Sequence, residues 1–145
     1  MIITAFFLPF ALPTLNELEA ARGKIAAARD TGDRTRWNAY NELKRRTQSD
    51  IVVHVLRQKI PKVPPNQRVR LNFLWCAADR RHDPDNIAAG GRKLILDAIT
   101  QLRPAVVSAG ILHCDGWHCI AGFRDLFATA LTGQVGVRVE IEAAQ

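Results

Sequence analysis

The sequence predicts a single α+β domain in which helices pack against a small mixed β-sheet. Three observations support this fold class. The chain has 145 residues, the usual size of one domain, so one domain over residues 1–145 is expected. Its hydrophobic fraction of 48% and charged fraction of 23% are those of an ordinary globular protein. Segments that alternate as strands do are interspersed with segments of helical periodicity.

A strand and a helix are predicted at the start of the chain. Residues 2–8 are rich in β-branched and aromatic side chains, which is typical of a strand. Thr14 and Glu17 have the spacing of a capping box, so a helix should begin there. This alanine-rich helix is expected to run to about Asp30, with Gly32 as its stop.

A longer second helix is expected from Thr35 to about Ile60. Six residues at helical spacing predict its buried face: Trp37, Tyr40, Leu43, Thr47, Ile51 and Val55. The aromatic residues in this set fit a core better than a base-stacking platform. A linker with three prolines then ends the helix: Pro61, Pro64 and Pro65.

The middle of the chain predicts a strand followed by a third helix. Hydrophobic residues alternate from Val69 to Trp75, as in a half-buried strand. The helix is expected from Ile87 to about Arg103, with Asn86 as its N-cap and Gly90-Gly91 weakening or kinking its first turns. Its predicted buried stripe is Leu94, Ile95, Ala98, Ile99 and Leu102. Its predicted polar face is Lys93, Asp97 and Gln101.

Two more strands are expected near the C-terminus. Residues from Trp117 to about Ala128 alternate loosely, and those from Val135 to Ile141 alternate cleanly. A turn at Thr132-Gly133 lies between them, so we expect the two strands to form a hairpin.

The N-terminal segment and the cysteines bear on the compartment. Residues 1–13 are apolar but lack a basic start and are too short to span a bilayer, so we expect no export signal and no membrane partner. Three cysteines are an odd number without a secretory segment: Cys76, Cys114 and Cys119. Reduced thiols and a cytoplasmic location are therefore expected.

Asp83 and Asp85, separated by Pro84, form the most informative chemical motif. A residue before proline favours extended backbone, and residues two apart in extended chain point to the same side. We therefore expect the two carboxylates to converge, with Cα atoms roughly 6 to 7 Å apart. A divalent cation is the usual neutraliser of such a pair where phosphate also binds. Taken alone, the pattern also fits Asx turns and a helix N-cap.

Positive charge is concentrated around this motif. Residues 57–103 contain ten Arg and Lys against four Asp, so this segment carries +6, as much as the whole chain. A basic field with an acidic centre suits a polyanion whose backbone approaches a metal ion, although solvated surface charge is the alternative. Arg80 and Arg81 are predicted to contact DNA phosphates, and His82 can contact phosphate or assist proton transfer.

Three further runs complete a recognisable pattern with Arg80-Arg81-His82-Asp83-Pro84-Asp85-Asn86. They are Arg92-Lys93-Leu94-Ile95-Leu96-Asp97-Ala98-Ile99, Gly110-Ile111-Leu112 and Asp115-Gly116-Trp117. The pattern covers mainly residues 69–127 and resembles the RusA family of Holliday junction resolvases. Proteins of that family are small, dimeric, Mg²⁺-dependent endonucleases, often encoded by prophages, that resolve four-way DNA junctions.

The resemblance implies a RusA-like fold, a homodimer, branched DNA as substrate, and Mg²⁺ as cofactor with Mn²⁺ as a substitute. The metal-binding catalytic carboxylates that it implies are Asp83, Asp85 and Asp115. It places the catalytic lysine at Lys93. Arg92 joins the predicted DNA contacts, and Asn86 and Asp97 are assigned to structural support.

Two departures from the family pattern affect these assignments. Residues 88–91 are extra relative to the shortest family members, so Lys93 is aligned from Asp97 downstream. Cys114 stands where family members often have an acid, so Asp115 would serve alone. The chemistry nevertheless fits, because carboxylate-held Mg²⁺ can activate water and neutralise phosphate charge while a lysine assists.

Other functions use some of the same features. A noncatalytic DNA-binding accessory protein of replication or recombination would keep the fold and the basic surface without cleavage. A nuclease for flaps or forks would differ only in substrate shape. Zinc binding is a third alternative, with four soft ligands: His113, Cys114, His118 and Cys119. It is disfavoured because strand alternation would send His118 and Cys119 to opposite faces.

Overall fold

A computed structural model describes residues 1–31, 39–101, 107–130 and 134–145. For residues 24–31 only the backbone is described. The fold is α+β, with one four-stranded mixed sheet and three helices. The α+β prediction is confirmed. The strands are β1 (Ile2–Leu8), β2 (Val69–Ala77), β3 (Ile120–Thr129) and β4 (Gly136–Ala143). The helices are α1 (Leu15–Thr31), α2 (Ala39–Arg57) and α3 (Pro84–Ile99).

The strands are arranged in the order β1-β4-β2-β3. β4 is antiparallel to both β1 and β2, whereas β3 is parallel to β2. The predicted hairpin of the last two strands is therefore wrong, because β2 lies between them; the turn residues Thr132 and Gly133 lie outside the described ranges. Parallel strands need a crossover connection, and α3 supplies it between β2 and β3.

The first two helices follow the sequence predictions where they are described. The Glu17 N–H donates to Thr14 Oγ1 at 3.3 Å, which confirms the N-terminal cap of α1. Thr47, Ile51 and Val55 are buried, as expected for the inner face of α2. The predicted stop at Gly32 and the predicted helix start at Thr35, with Trp37, lie outside the described residues. None of the described helices is long and apolar enough to cross a membrane.

The core lies between the helices and one face of the sheet. Along β2, burial alternates from Val69 to Trp75, with every second residue inside. The cross-strand partners of these residues in β4, Val137, Val139 and Ile141, are also buried. The α3 residues predicted as its apolar stripe are buried against this face: Leu94, Ile95, Ala98 and Ile99. Leu102 and Arg103 lie outside the described part of the chain.

Helix α3 continues through its glycine pair without interruption. A Cβ on Gly90 would lie 2.4 Å from the carbonyl oxygen of Pro13, and one on Gly91 would lie 2.7 Å from the Trp75 ring. Both glycines are buried. They are therefore positions of close approach, where α3 touches the backbone leading into α1 and the ring of Trp75. Sequence alone assigned them a helix-weakening role because the neighbours that require them are distant in the chain.

Replacing Gly90 with alanine should destabilise the protein, although alanine is the better helix former. The clash with backbone should lower the free energy of unfolding by about 1 to 3 kcal/mol in urea titrations. Gly23→Ala in α1 is the matched control, since nothing lies within 4 Å of its added Cβ. That variant should gain about 0.5 to 1 kcal/mol. Equal stability of the two variants would contradict the close-approach account.

Candidate functional site

Asp83 starts α3 and keeps its carboxylate free. Its backbone is extended, with φ −66° and ψ 144°, as the following proline predicts. It is the N-cap residue, but its side chain makes no capping hydrogen bond. Its carbonyl oxygen instead accepts the N–H groups of Asn86 at 3.0 Å and Ile87 at 3.2 Å. The Asp83 side chain is exposed, so its oxygens remain available to a ligand.

The prediction that Asn86 is the N-cap is wrong, because the helix begins at Pro84. Proline suits the first helical position, where no intrahelical N–H bond is needed, and this shifts the start upstream. Asn86 Oδ1 accepts the N–H of Asn16 at 2.9 Å. This bond ties the start of α1 to the start of α3, next to Asp83.

Asp85 lies in the first turn of α3, where an acidic side chain interacts favourably with the helix N-terminus. It is exposed. The predicted convergence of Asp83 and Asp85 assumed extended backbone at both residues. Only Asp83 is extended, so that prediction is wrong. The two carboxylates are thus the N-cap residue and the second helical residue of one turn.

The basic residues before Asp83 are exposed but differ in their contacts. Arg81 turns back to Asp79: its N–H donates to Oδ1 at 2.9 Å, and its Nε lies 2.7 Å from Oδ2. The backbone hydrogen bond from Arg81 is the main cause that lowers the pKa of Asp79. Across the described ranges, no carboxylate lies within 4.0 Å of the Arg80 guanidinium. Arg80 is therefore available to an anion.

Asp83 lines an open cleft of about 370 Å³ beside the ends of the two parallel strands. On one side the cleft is lined by Arg80, His82 and Asp83. On the other side it is lined by the end of β3, Phe127, Ala128 and Thr129. Crevices at the carboxyl ends of parallel strands are the usual ligand sites of such sheets.

A second polar cluster surrounds Asp97 near the end of α3. The prediction that Asp97 lies on an exposed polar face is wrong, since the residue is 8% exposed. Helix α2 packs over it and brings in two partners: Gln48 Nε2 donates to Oδ2 at 3.3 Å, and Lys44 Nζ lies 3.7 Å from Oδ2. Lys93, one turn earlier on α3, places its Nζ 2.8 Å from Oδ1.

Lys93 connects this cluster to Asp115. Its Nζ lies 3.8 Å from Asp115 Oδ2, while its side chain remains 63% exposed. The hydrogen bond to Asp97 is the main cause that raises the pKa of Lys93, and the charge of Asp115 adds to it. Lys93 is therefore a charged, anchored ammonium group open to solvent.

Asp115 lies in a loop that a disulfide between Cys114 and Cys119 closes. The prediction that all three cysteines are reduced is wrong for this pair; Cys76 is free. The turn at Gly116 brings the Cα atoms of the two cysteines to 5.8 Å, within the usual range for a disulfide. The spacing of the cysteines in the sequence does not predict this disulfide. Trp117 and His118 belong to this turn and precede β3, so the strand argument about His118 was also wrong. Cys114 and Cys119 are therefore not thiolates that could bind zinc.

The structure brings together only some of the predicted site residues. Lys93, Asp97 and Asp115 are in contact, whereas Asp115 is not grouped with Asp83 and Asp85. Among the residues described, no three His, Cys, Asp or Glu side chains are placed to hold one ion. Asp85 and Lys93 are eight residues apart on one helix, which is about 12 Å along its axis. The candidate site therefore has two parts.

Arg92 has a partner that the sequence did not reveal. Its guanidinium forms an ion pair with Asp125 of β3, which also accepts the Trp75 Nε1–H at 2.9 Å. The guanidinium lies 5.0 Å above the centre of the Phe123 ring. Arg92 thus joins α3 to the sheet rather than extending freely towards DNA. A carboxylate in a mostly apolar strand was the only sequence signal for this contact.

No protein-family model matches this chain, and no curated protein matches it either. The resemblance to RusA-type resolvases therefore stays a prediction. It rests on four motifs. The first, 80–86, leads into the first turn of α3, and the second, 92–99, lies within α3. The third, 110–112, follows the helix, and the fourth, 115–117, lies in the disulfide-closed loop.

Replacing Asp97 with asparagine should test the second cluster. We expect the free energy of unfolding at neutral pH to fall by about 1 to 3 kcal/mol, because two ammonium groups lose a buried carboxylate. Asp50→Asn, at an exposed position of α2, is the control and should have little effect.

The same variant pair gives a pH test. The contacts of Lys93 raise its pKa in the folded protein. Their contribution to stability is complete at pH values below the ordinary lysine pKa, and it is lost as the pH rises through the raised pKa. The gap in unfolding free energy between wild type and Asp97→Asn should be constant from neutral pH up to roughly pH 10.4 and shrink above it. A gap that widens at alkaline pH would contradict the assigned contact.

Proposed function

We propose that this chain is a Mg²⁺-dependent endonuclease that cuts branched DNA, with four-way junctions as its main substrate. The single observation that carries the proposal is the free Asp83 carboxylate in an open cleft rimmed by Arg80 and His82. An acid available to a cation, placed among groups available to phosphate, is the arrangement that phosphodiester hydrolysis requires.

The two carboxylates, Asp83 and Asp85, fit a Mg²⁺ ion that takes few of its ligands from the protein. Mg²⁺ is often held by one or two carboxylates and completes its shell with water and substrate phosphate. Asp83 and Asp85 would hold it, and the bound ion would supply an activated water and neutralise phosphate charge. Mn²⁺ should substitute because it accepts the same oxygen ligands.

Lys93 and Asp115 would act at a different point of the substrate. Because Lys93 lies about two helical turns from Asp85, it is better placed to hold a neighbouring phosphate than to assist the attacking water. Asp97 keeps the ammonium group charged and directed to the surface. In this proposal Lys93 positions the DNA strand, and Asp115 helps to orient Lys93.

Phosphate affinity would come from the basic segment around the first part of the site. Arg80 and His82 line the cleft, and Arg81 is oriented by Asp79 beside them. Such contacts fix the position of the DNA and carry no sequence information. Binding should therefore weaken steeply as salt is added.

Two further features belong to the proposal. Paired cuts in a four-way junction match a homodimer with one site in each subunit, acting in the cytoplasm of a bacterial or phage-infected cell. The N-terminal strand β1 and the long helix α2 are the candidate dimer interfaces. β1 lies at one edge of the sheet, and α2 packs against α1 and α3.

A second candidate function is a noncatalytic DNA-binding accessory protein. The observation that favours it is that, among the described residues, no three His, Cys, Asp or Glu side chains are placed to hold one ion. A nuclease for forks or flaps would use the same site as the main proposal. Labelled four-way, forked and linear DNA in one cleavage assay separates these possibilities.

Replacing Asp83 with asparagine should abolish cleavage and preserve the fold, because asparagine caps helices as well as aspartate does. We expect the rate of four-way junction cleavage with Mg²⁺ to fall roughly 100-fold or more. Junction binding in Ca²⁺ should remain within about twofold, since the substitution removes no phosphate contact. Asp50→Asn should cut like wild type.

Cleavage by Asp83→Asn at the wild-type rate would contradict the proposal. Wild-type protein that binds junctions but never cuts them with Mg²⁺ or Mn²⁺ would favour the accessory function.

A further inference from the structure

Trp117 is the most exposed large aromatic residue among those described, with 89% of its surface accessible. Tryptophan side chains are highly buried on average, because the indole ring is large and apolar. This ring stands two residues from Asp115, beside the Lys93 cluster. An exposed ring at that position is available for a flat, apolar ligand.

The loop that carries the ring is constrained. The disulfide between Cys114 and Cys119 closes it. Inside the loop, the Gly116 carbonyl accepts the N–H groups of Cys119 at 3.0 Å and Ile120 at 2.9 Å. A ligand that stacks on the ring would therefore order little additional backbone, which lowers the entropic cost of binding.

Trp117 lines an open cleft of about 330 Å³ that a second aromatic residue and an arginine also line. Phe123, at the start of β3, is 41% exposed in this cleft. Arg68 lines it from the start of β2 and is exposed. Within the described ranges, no carboxylate lies within 4.0 Å of the Arg68 guanidinium. The cleft thus offers stacking surfaces and a free cation.

We propose that Arg68, Trp117 and Phe123 form a binding subsite for an unpaired nucleotide. The base would stack on Trp117, and Arg68 would contact the adjoining phosphate. Aromatic rings combined with arginine are the usual means of holding single-stranded nucleic acid without sequence preference. The inference rests on the proposed function and concerns its fork and flap substrates, because these carry single strands whereas an intact four-way junction can pair every base.

The charge of Asp115 in the same cleft does not exclude a phosphate. Lys93 Nζ lies 3.8 Å from its carboxylate and offsets the negative charge. Arg92 lies over the face of Phe123, where Asp125 pairs with it. Four cations, Arg68, Arg92, Lys93 and Lys44, face three carboxylates, Asp97, Asp115 and Asp125, so one positive charge is left over. This balance favours an anionic strand over a neutral apolar partner.

The test measures binding by fluorescence anisotropy in EDTA, without reductant, using labelled oligo(dT) and a labelled linear duplex. Trp117→Ala should weaken oligo(dT) binding roughly 10-fold and leave duplex binding within about twofold. Trp117→Phe should restore most of the affinity, because a phenyl ring still stacks. Leu126→Ala is the matched control, since Leu126 is 57% exposed on the uncovered face of the sheet.

Arg68→Gln should reduce the salt dependence of oligo(dT) binding, with the slope of log K against log salt falling by about 0.7. Unchanged oligo(dT) binding by Trp117→Ala would overturn the inference, as would equal losses in Trp117→Ala and Trp117→Phe. Protein that binds oligo(dT) through Trp117 but never cuts junctions would refute the nuclease and keep the subsite. Junction cleavage by the wild type, with no effect of Trp117→Ala on oligo(dT) binding, would support the nuclease and refute the subsite.

Discussion

The close seating of α3 is the constraint on which the rest of the structure depends. At Gly90 and Gly91 the helix touches the backbone before α1 and the ring of Trp75, with no room for a side chain. A helix held this closely cannot shift along its axis without a clash. Every residue that it carries, from Asp83 at its start to Asp97 near its end, is therefore fixed relative to the sheet.

Polar contacts on two different sides of α3 fix its rotation. Arg92 pairs with Asp125 on the sheet, whereas Asp97 binds Lys44 and Gln48 of helix α2. Each helical residue turns by about 100°, so Arg92 and Asp97, five residues apart, point to different sides of the helix. The same arrangement explains why Lys93 is charged, anchored and still open to solvent. It also explains why the two parts of the candidate site keep their separation.

Sequence predicted the elements better than their partners. Alternation located β2 and β4, and the Thr14–Glu17 spacing located the start of α1, because these signals are local. The predicted hairpin failed because β4 inserts next to β2, which depends on contacts between distant segments. The burial of Asp97 and the role of Gly90 were missed for the same reason. Their explanations lie in Lys44, Gln48 and Pro13, which no local pattern connects to α3.

The candidate site was predicted residue by residue, but its division was not. The motif around Asp83 and the lysine at 93 were expected to meet around one ion with Asp115. The uninterrupted helix separates Asp85 from Lys93 by about 12 Å along its axis. Calorimetric titration with Mn²⁺ tests this division most directly. The account predicts that Asp83→Asn abolishes ion binding and that Asp115→Asn leaves the affinity within about twofold of wild type. Equal loss of binding in both variants would mean that the three aspartates share one ion, and would contradict the account.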